Sequence, residues 1–250
     1  MGALFEFLLR QGDNTLVLGH RVSEWCGTAP ALEEDIALAN TALDLIGQTK
    51  MWLGLAGEIE GKGRSADDLA YHRDVWDFRN LLLLERPNGD FGHTLLRQFL
   101  FDAFQVPSLR ALQASSHPRV AEIAAKALKE ALYHLERSRE TVVALGDGTA
   151  QSNQIMQRAL AALWPYTGEM FIADAVDDAM EAEGIAPALS ALRPEWEALV
   201  RTVLAEAMLT VPEGDFAHQG GKSGKQHTEH LGHMLAAMQF LPRAYPDARW

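Results

Sequence analysis

The stretch Ala31–Trp52, ALEEDIALANTALDLIGQTKMW, decides how the rest of the chain is read. Its apolar residues recur at spacings of three and four, the repeat of a helix face. Leu32, Ile36, Ala39, Leu43 and Ile46 line one side, and Leu38, Ala42, Leu45 and Trp52 line another. A helix apolar on both sides is expected to lie buried among neighbours. Pro30 stands near its first turn, and Glu33, Glu34 and Asp35 sit where the helix dipole favours negative charge.

The same periodicity extends in both directions. Ala3–Trp25 reads as a helix that stops at Gly27. Downstream, GEIEGKGRSADD (Gly57–Asp68) reads as a loop, followed by a shorter helical region over Ala66–Leu84 and a turn at Arg86–Asp90. Further helices are expected over His93–Ser115, Pro118–Leu145, Gln151–Ala182 (bent near Pro165) and Pro194–Leu209, the last with its proline at the first turn. The irregular VPEGDFAHQGGKSGKQH (Val211–His227) precedes a final helix over Thr228–Leu241. No alternating run is long enough for a sheet, and no internal repeat or low-complexity linker interrupts the pattern. The expected fold is all-α, a helical bundle in which residues 1–250 form one domain.

Composition narrows the function. Of 250 residues, 48% are hydrophobic and 22% charged, an ordinary globular balance. The 34 Asp and Glu outnumber the 22 Lys and Arg for a net charge of −12, which repels a phosphate backbone, so nucleic acid is not expected as a partner. The single cysteine, Cys26, excludes a disulfide framework and fits a reducing cytoplasm. No apolar run reaches the roughly 18 residues of a membrane span, and the opening MGALFEFLLRQGDN carries neither an export signal nor a myristoylation signal.

Bundles commonly carry chemistry as a carboxylate di-metal site, two carboxylates plus two Glu-x-x-His pairs whose i and i+3 side chains reach one metal pair. No such pair occupies a bundle-core position here. DLIGQ (Asp44–Gln48) looks like the D-E-x-G-H of a di-iron helix with Leu45 for glutamate and Gln48 for histidine. KEALYH (Lys129–His134) looks like K-E-E-x-x-H with Ala131 for the glutamate and His134 retained. FLFDAFQV offers Asp102, and the first helix shows Gly19 and His20 where a glutamate is expected. Asp102 on a partly apolar face is expected to hydrogen-bond His134 or another nearby donor. Ala124, Ala127, Ala131, His134, Ser138 and Thr141 form a small-residue face for close helix approach.

These segments, with LRQGDNTLVLGHRVSEWCGTAPALEEDIALANTALDLIGQ, NLLLLERPNGDF, KEALYHLERS and GGKSGKQHTEHLGHMLAAMQ, resemble the C-subunit family of the bacterial phenylacetyl-CoA epoxidase, the ring-1,2-epoxidase of phenylacetate degradation, over essentially the full length. The resemblance implies a ferritin-like bundle with a degenerate di-iron site, the positions Gly19, Leu45, Gln48, Asp102, Ala131 and His134 being vestigial. It implies no cofactor in this chain and di-iron in a catalytic partner, with bridging and reductase subunits in the larger assembly. The isolated chain could also form a homodimer. A rival reading is an independent di-metal oxidase with unusual ligands; a third, a ferritin-like storage protein, is disfavoured by the missing carboxylates.

Two other features carry weaker signals. His227, His230 and His233, with His218 upstream and Glu229 between, have a spacing that could attract zinc, although only His230 and His233 are cofacial neighbours. GGKSGKQH lacks the phosphate-loop spacing, but Lys222, Lys225, His227 and Thr228 at a helix start could contact an anion, such as the coenzyme A substrate, or a partner protein of the assembly. The six tryptophans, Trp25, Trp52, Trp76, Trp164, Trp196 and Trp250, are expected to be mostly core or interface anchors.

Overall fold

The computed structural model describes residues 2–214, 216–246 and 248, which are helical with no strand among them. Trp250 lies outside the described residues. The chain divides into two compact units, Met1–Pro87 with Gln219–Trp250, and Asn88–His218.

Unit 1 is built on two long helices, α1 (Ala3–Ser23) and α2 (Leu32–Glu60), which pack along each other. Asp35 pins the link between them by accepting from the amides of Gly27 (2.8 Å) and Ala29 (3.3 Å). Their seam is tight because α1 presents small residues. A Cβ on Gly12 would lie 2.5 Å from Leu53 Cδ2, and the hydroxyls of Thr15 and Thr49 meet at 2.8 Å. Leu53 is fully buried and has nowhere to retreat, so Gly12→Ala is expected to cost about 1–3 kcal/mol by overpacking. Urea denaturation checks this; an unchanged midpoint would contradict the seam.

Short helices follow: α3 (Ala66–Tyr71), a 3₁₀ turn (Val75–Asp77), α4 (Leu82–Glu85), and at the C-terminal end α10 (Glu229–Met238) and α11 (Phe240–Ala244). Three sequence expectations change here. Helix α2 runs through Gly57–Glu60 to a left-handed Gly61 (φ 69°), so those four residues are not loop. The helical region expected over Ala66–Leu84 is instead three pieces: Ser65 and Asp74 each close a capping box, with Asp68 and Asp77, at the starts of α3 and the 3₁₀ turn, and α4 follows Leu81 without a side-chain cap. The final helix breaks at buried Gln239, whose amide donates to the carbonyls of Ala70 (3.1 Å) and Arg73 (2.9 Å).

A further expectation is corrected on α2. Leu38, Ala42, Leu45 and Trp52 are buried, but Leu32 (72% exposed), Ile36 (53%) and Leu43 (70%) face outward. The apolar periodicity is real, and only one of the two faces belongs to the core.

Unit 2 comprises α5 (Phe91–Leu112), α6 (Pro118–Gly146), α7 (Ala150–Leu163), α8 (Ala175–Ala182) and α9 (Leu189–Glu206). Helices α5 and α6 form its main pair, joined by α7 and α9 against α5. The expected helix over Gln151–Ala182 is broken: Pro165 starts a 3₁₀ stretch over Trp164–Phe171, and Asp174 caps α8 through Val176 and Asp177. Helix α9 begins at Leu189, so Pro194 lies inside it and not at its first turn, and its missing N–H forfeits one backbone bond.

Candidate functional site

In unit 1, Gly19, Leu45 and Gln48 are all buried. Gly19 continues the α1–α2 seam: a Cβ there would lie 3.1 Å from Ile46 Cδ1 and 3.3 Å from Leu45 Cβ. The space a carboxylate would need is taken by aliphatic side chains. In unit 2, Ala131 is fully buried, with Ala124, Ala127, His134 and Ser138 buried along the same face and Thr141 half-buried at its end. Gly19, Leu45 and Ala131 present no ligand atom, so the residues at these positions do not fit a carboxylate di-metal centre.

Asp102 remains, fully buried on α5. It accepts from Gln98 Nε2 (2.7 Å) one turn earlier and from Ser138 Oγ (2.8 Å) on α6. The expected donor is therefore present, in Gln98 and Ser138. Burial pushes the Asp102 carboxyl up to about 7; the bonds from Ser138 and Gln98 and the charge of Arg137 pull the other way without offsetting it. A group that at an ordinary iron site would be a permanent anion is here only partly ionised near neutral pH. It serves as a polar pin between α5 and α6.

The segment around Lys222 is also settled by internal partners. Glu85, with 0% of its side chain exposed, accepts from His227 Nδ1 (2.6 Å), the Thr228 amide (2.6 Å), the Thr228 hydroxyl (2.7 Å) and Asn80 Nδ2 (2.9 Å). His227 Nε2 lies 3.2 Å from the Phe78 carbonyl, so both ring nitrogens are engaged within the protein. The anion held by His227 and Thr228 is thus the chain's own Glu85. Lys222 is buried at 8% exposure, and Lys225 is exposed. Arg21 completes the arrangement by donating to the carbonyls of Glu85 (2.9 Å) and His230 (3.1 Å). His218 belongs to unit 2, where it stacks on Tyr166 at 4.4 Å. Among the described residues no group of three or more His, Cys, Asp or Glu side chains is arranged to hold a metal ion.

Sequence reasoning missed a second buried ion pair. Asp13 of α1 accepts from both terminal guanidinium nitrogens of Arg73, one at 3.0 Å, and from the Arg79 amide at 2.8 Å. Arg73 also lies 4.4 Å over the Phe78 ring and donates to the Asp77 carbonyl (2.9 Å). A charged residue in the middle of an apolar helix, as in LLRQGDNTLVL, was the available signal. Of the tryptophans, Trp52 and Trp196 are core, Trp25 and Trp164 are half-buried, and Trp76 is 64% exposed.

Residues 1–250 match the family described as phenylacetic acid catabolic protein, and the chain belongs to that family. One relative, the C subunit of the 1,2-phenylacetyl-CoA epoxidase of Escherichia coli (strain K12), is 49% identical over 250 residues, the whole of both chains. No helix among the described residues is long and apolar enough to cross a membrane.

Proposed function

We propose that this chain is the structural, non-catalytic subunit of a multicomponent 1,2-phenylacetyl-CoA epoxidase, a monooxygenase of aerobic phenylacetate catabolism in the cytoplasm. It pairs with a di-iron catalytic subunit and stabilises it, while bridging and reductase subunits complete the assembly. Oxygenation takes place in the partner, and this chain holds no cofactor. The observation that carries the reading is the pair of α1 and α2 closed over Gly19 and Leu45, where a working member would need carboxylates. The full-length similarity to a named epoxidase subunit supports the same assignment.

Pairing is supported by α2. Leu32, Ile36 and Leu43 form an outward apolar stripe at one-turn and two-turn spacing, of the kind a partner surface covers. Co-expression with the di-iron subunit is expected to give a complex that co-purifies, and Leu43→Glu is expected to weaken it by at least about tenfold while leaving the fold intact. Lys225, exposed beside the Glu85 cluster, is a second candidate contact. A catalytic subunit that stays soluble and active alone would end the scaffold reading. Iron analysis separates the rival: two iron ions per isolated chain would make it an independent di-metal oxidase.

A further inference from the structure

We infer that unit 2 carries a binding site for a small aromatic monocarboxylate, between α9 and the 3₁₀ stretch that follows α7. A cavity of about 550 Å³ lies elsewhere in unit 1, but its walls carry no comparable division of labour. The unit 2 cavity measures about 510 Å³, within the range of about 300–1,000 Å³ usual for small-molecule sites. One wall is aromatic. Trp164 and Phe171 stand against Trp196, with ring centroids 5.8 and 5.2 Å apart. Trp196 is fixed from behind, because its indole N–H donates to the Leu100 carbonyl at 3.0 Å. Phe216, 71% exposed, stands at the rim. Such walls favour a flat apolar ring, which gains from offset or edge-on contact beyond the area it buries.

The other wall supplies charge. Arg193, Glu197 and Arg201 follow one another at four-residue intervals along α9 and all line the cavity. Arg193 is committed to Glu197, Nε to Oε1 at 2.7 Å. Arg201 is exposed and makes no ion pair among the described residues, so its planar fork of donors is open to a carboxylate. Glu197 and Glu213, at the same cavity, offset the two arginines. That balance disfavours a polyanion such as a nucleotide phosphate chain, and with Arg193 paired to Glu197 it leaves Arg201 as the cavity's one arginine without an ion pair among the described residues. A ring of modest size carrying a single carboxylate meets both walls at once.

The test uses the full chain and three probes: phenylacetate, benzyl alcohol as the uncharged ring, and hexanoate as the ringless anion. With Trp164 and Trp196 in the wall, binding is read as saturable quenching of tryptophan fluorescence. Phenylacetate is expected to saturate, with each control at least about tenfold weaker. Arg201→Gln, at an exposed position, is expected to keep the melting temperature and bring phenylacetate down to the level of benzyl alcohol. Phe216→Ala is expected to weaken phenylacetate several-fold. The proposal is overturned if phenylacetate fails to saturate in the millimolar range, if benzyl alcohol binds equally well, or if Arg201→Gln binds as the parent does. Because no partner protein enters the experiment, its outcome is independent of the scaffold role.

Discussion

Asp13→Ala is expected to destabilise the chain by about 3–5 kcal/mol, the usual loss when one member of a buried ion pair is removed. Asp13 is completely buried and the Arg73 side chain is 4% exposed, so deletion leaves a guanidinium with neither water nor counter-charge. The Arg79 amide loses its acceptor as well. The converse change, Asp13→Leu together with Arg73→Met, is expected to recover a large part of the loss, since an apolar pair of similar size avoids the desolvation of both charges. The carbonyls of Leu69 and Asp77 would still lack the donors that Arg73 supplies, so recovery stays incomplete. Urea denaturation of the three proteins measures both steps. A loss under about 1 kcal/mol for Asp13→Ala would mean the pair behaves like a surface contact.

Asp102 governs the pH dependence. Its folded carboxyl titrates at about 7 whereas in the unfolded chain it titrates near the ordinary 3.8, so the folded state holds the proton more tightly. The sign follows: its contribution to stability is complete below the unfolded value and is lost as pH rises to and through about 7. Between about pH 5 and about pH 8 the loss is roughly 2–3 kcal/mol. Asp102→Asn carries no titrating group and is expected to remove this slope, leaving the variant more stable than the parent at the higher pH. The site accepts the amide because Gln98 Oε1 is buried with no hydrogen-bond partner and the new N–H can donate to it. Denaturation midpoints at the two pH values decide the matter. Parallel losses in parent and variant would place the titration elsewhere.

The helical class was legible because the three-and-four spacing holds in every long element, from Leu8 in α1 to Val203 in α9. What misled the reading of residues 66–84 was apolar spacing that continues across breaks. Leu69 and Leu81–Leu84 are all core, yet the polar pair Ser65/Asp68 starts the backbone before Leu69 and Asp74/Asp77 restarts it between them. Those capping pairs were readable and outweigh periodicity over so short a span. The two faces of α2 could not be distinguished, since a leucine bound for the core and one left facing outward have the same spacing. Gly19, Leu45 and Ala131 were singled out because absence from a pattern is visible in one dimension, and all three are buried. Glu85 was not, because its partners His227 and Thr228 lie more than half the chain away.

That distance bears on synthesis. Unit 2 is one continuous segment, while unit 1 is assembled from both ends of the chain. As the ribosome proceeds at about 5–20 residues per second, Glu85 and Arg21 wait on the order of ten seconds before His227 and His230 emerge. For that interval the Glu85 side chain, in α4, has Asn80 but neither His227 nor Thr228 to hold it. Loops closed over such separations form late and slowly. Arrival of His227 and Thr228 therefore acts as a latch on unit 1, and a nascent chain cut short before them would leave that carboxylate unlatched and be open to proteolysis.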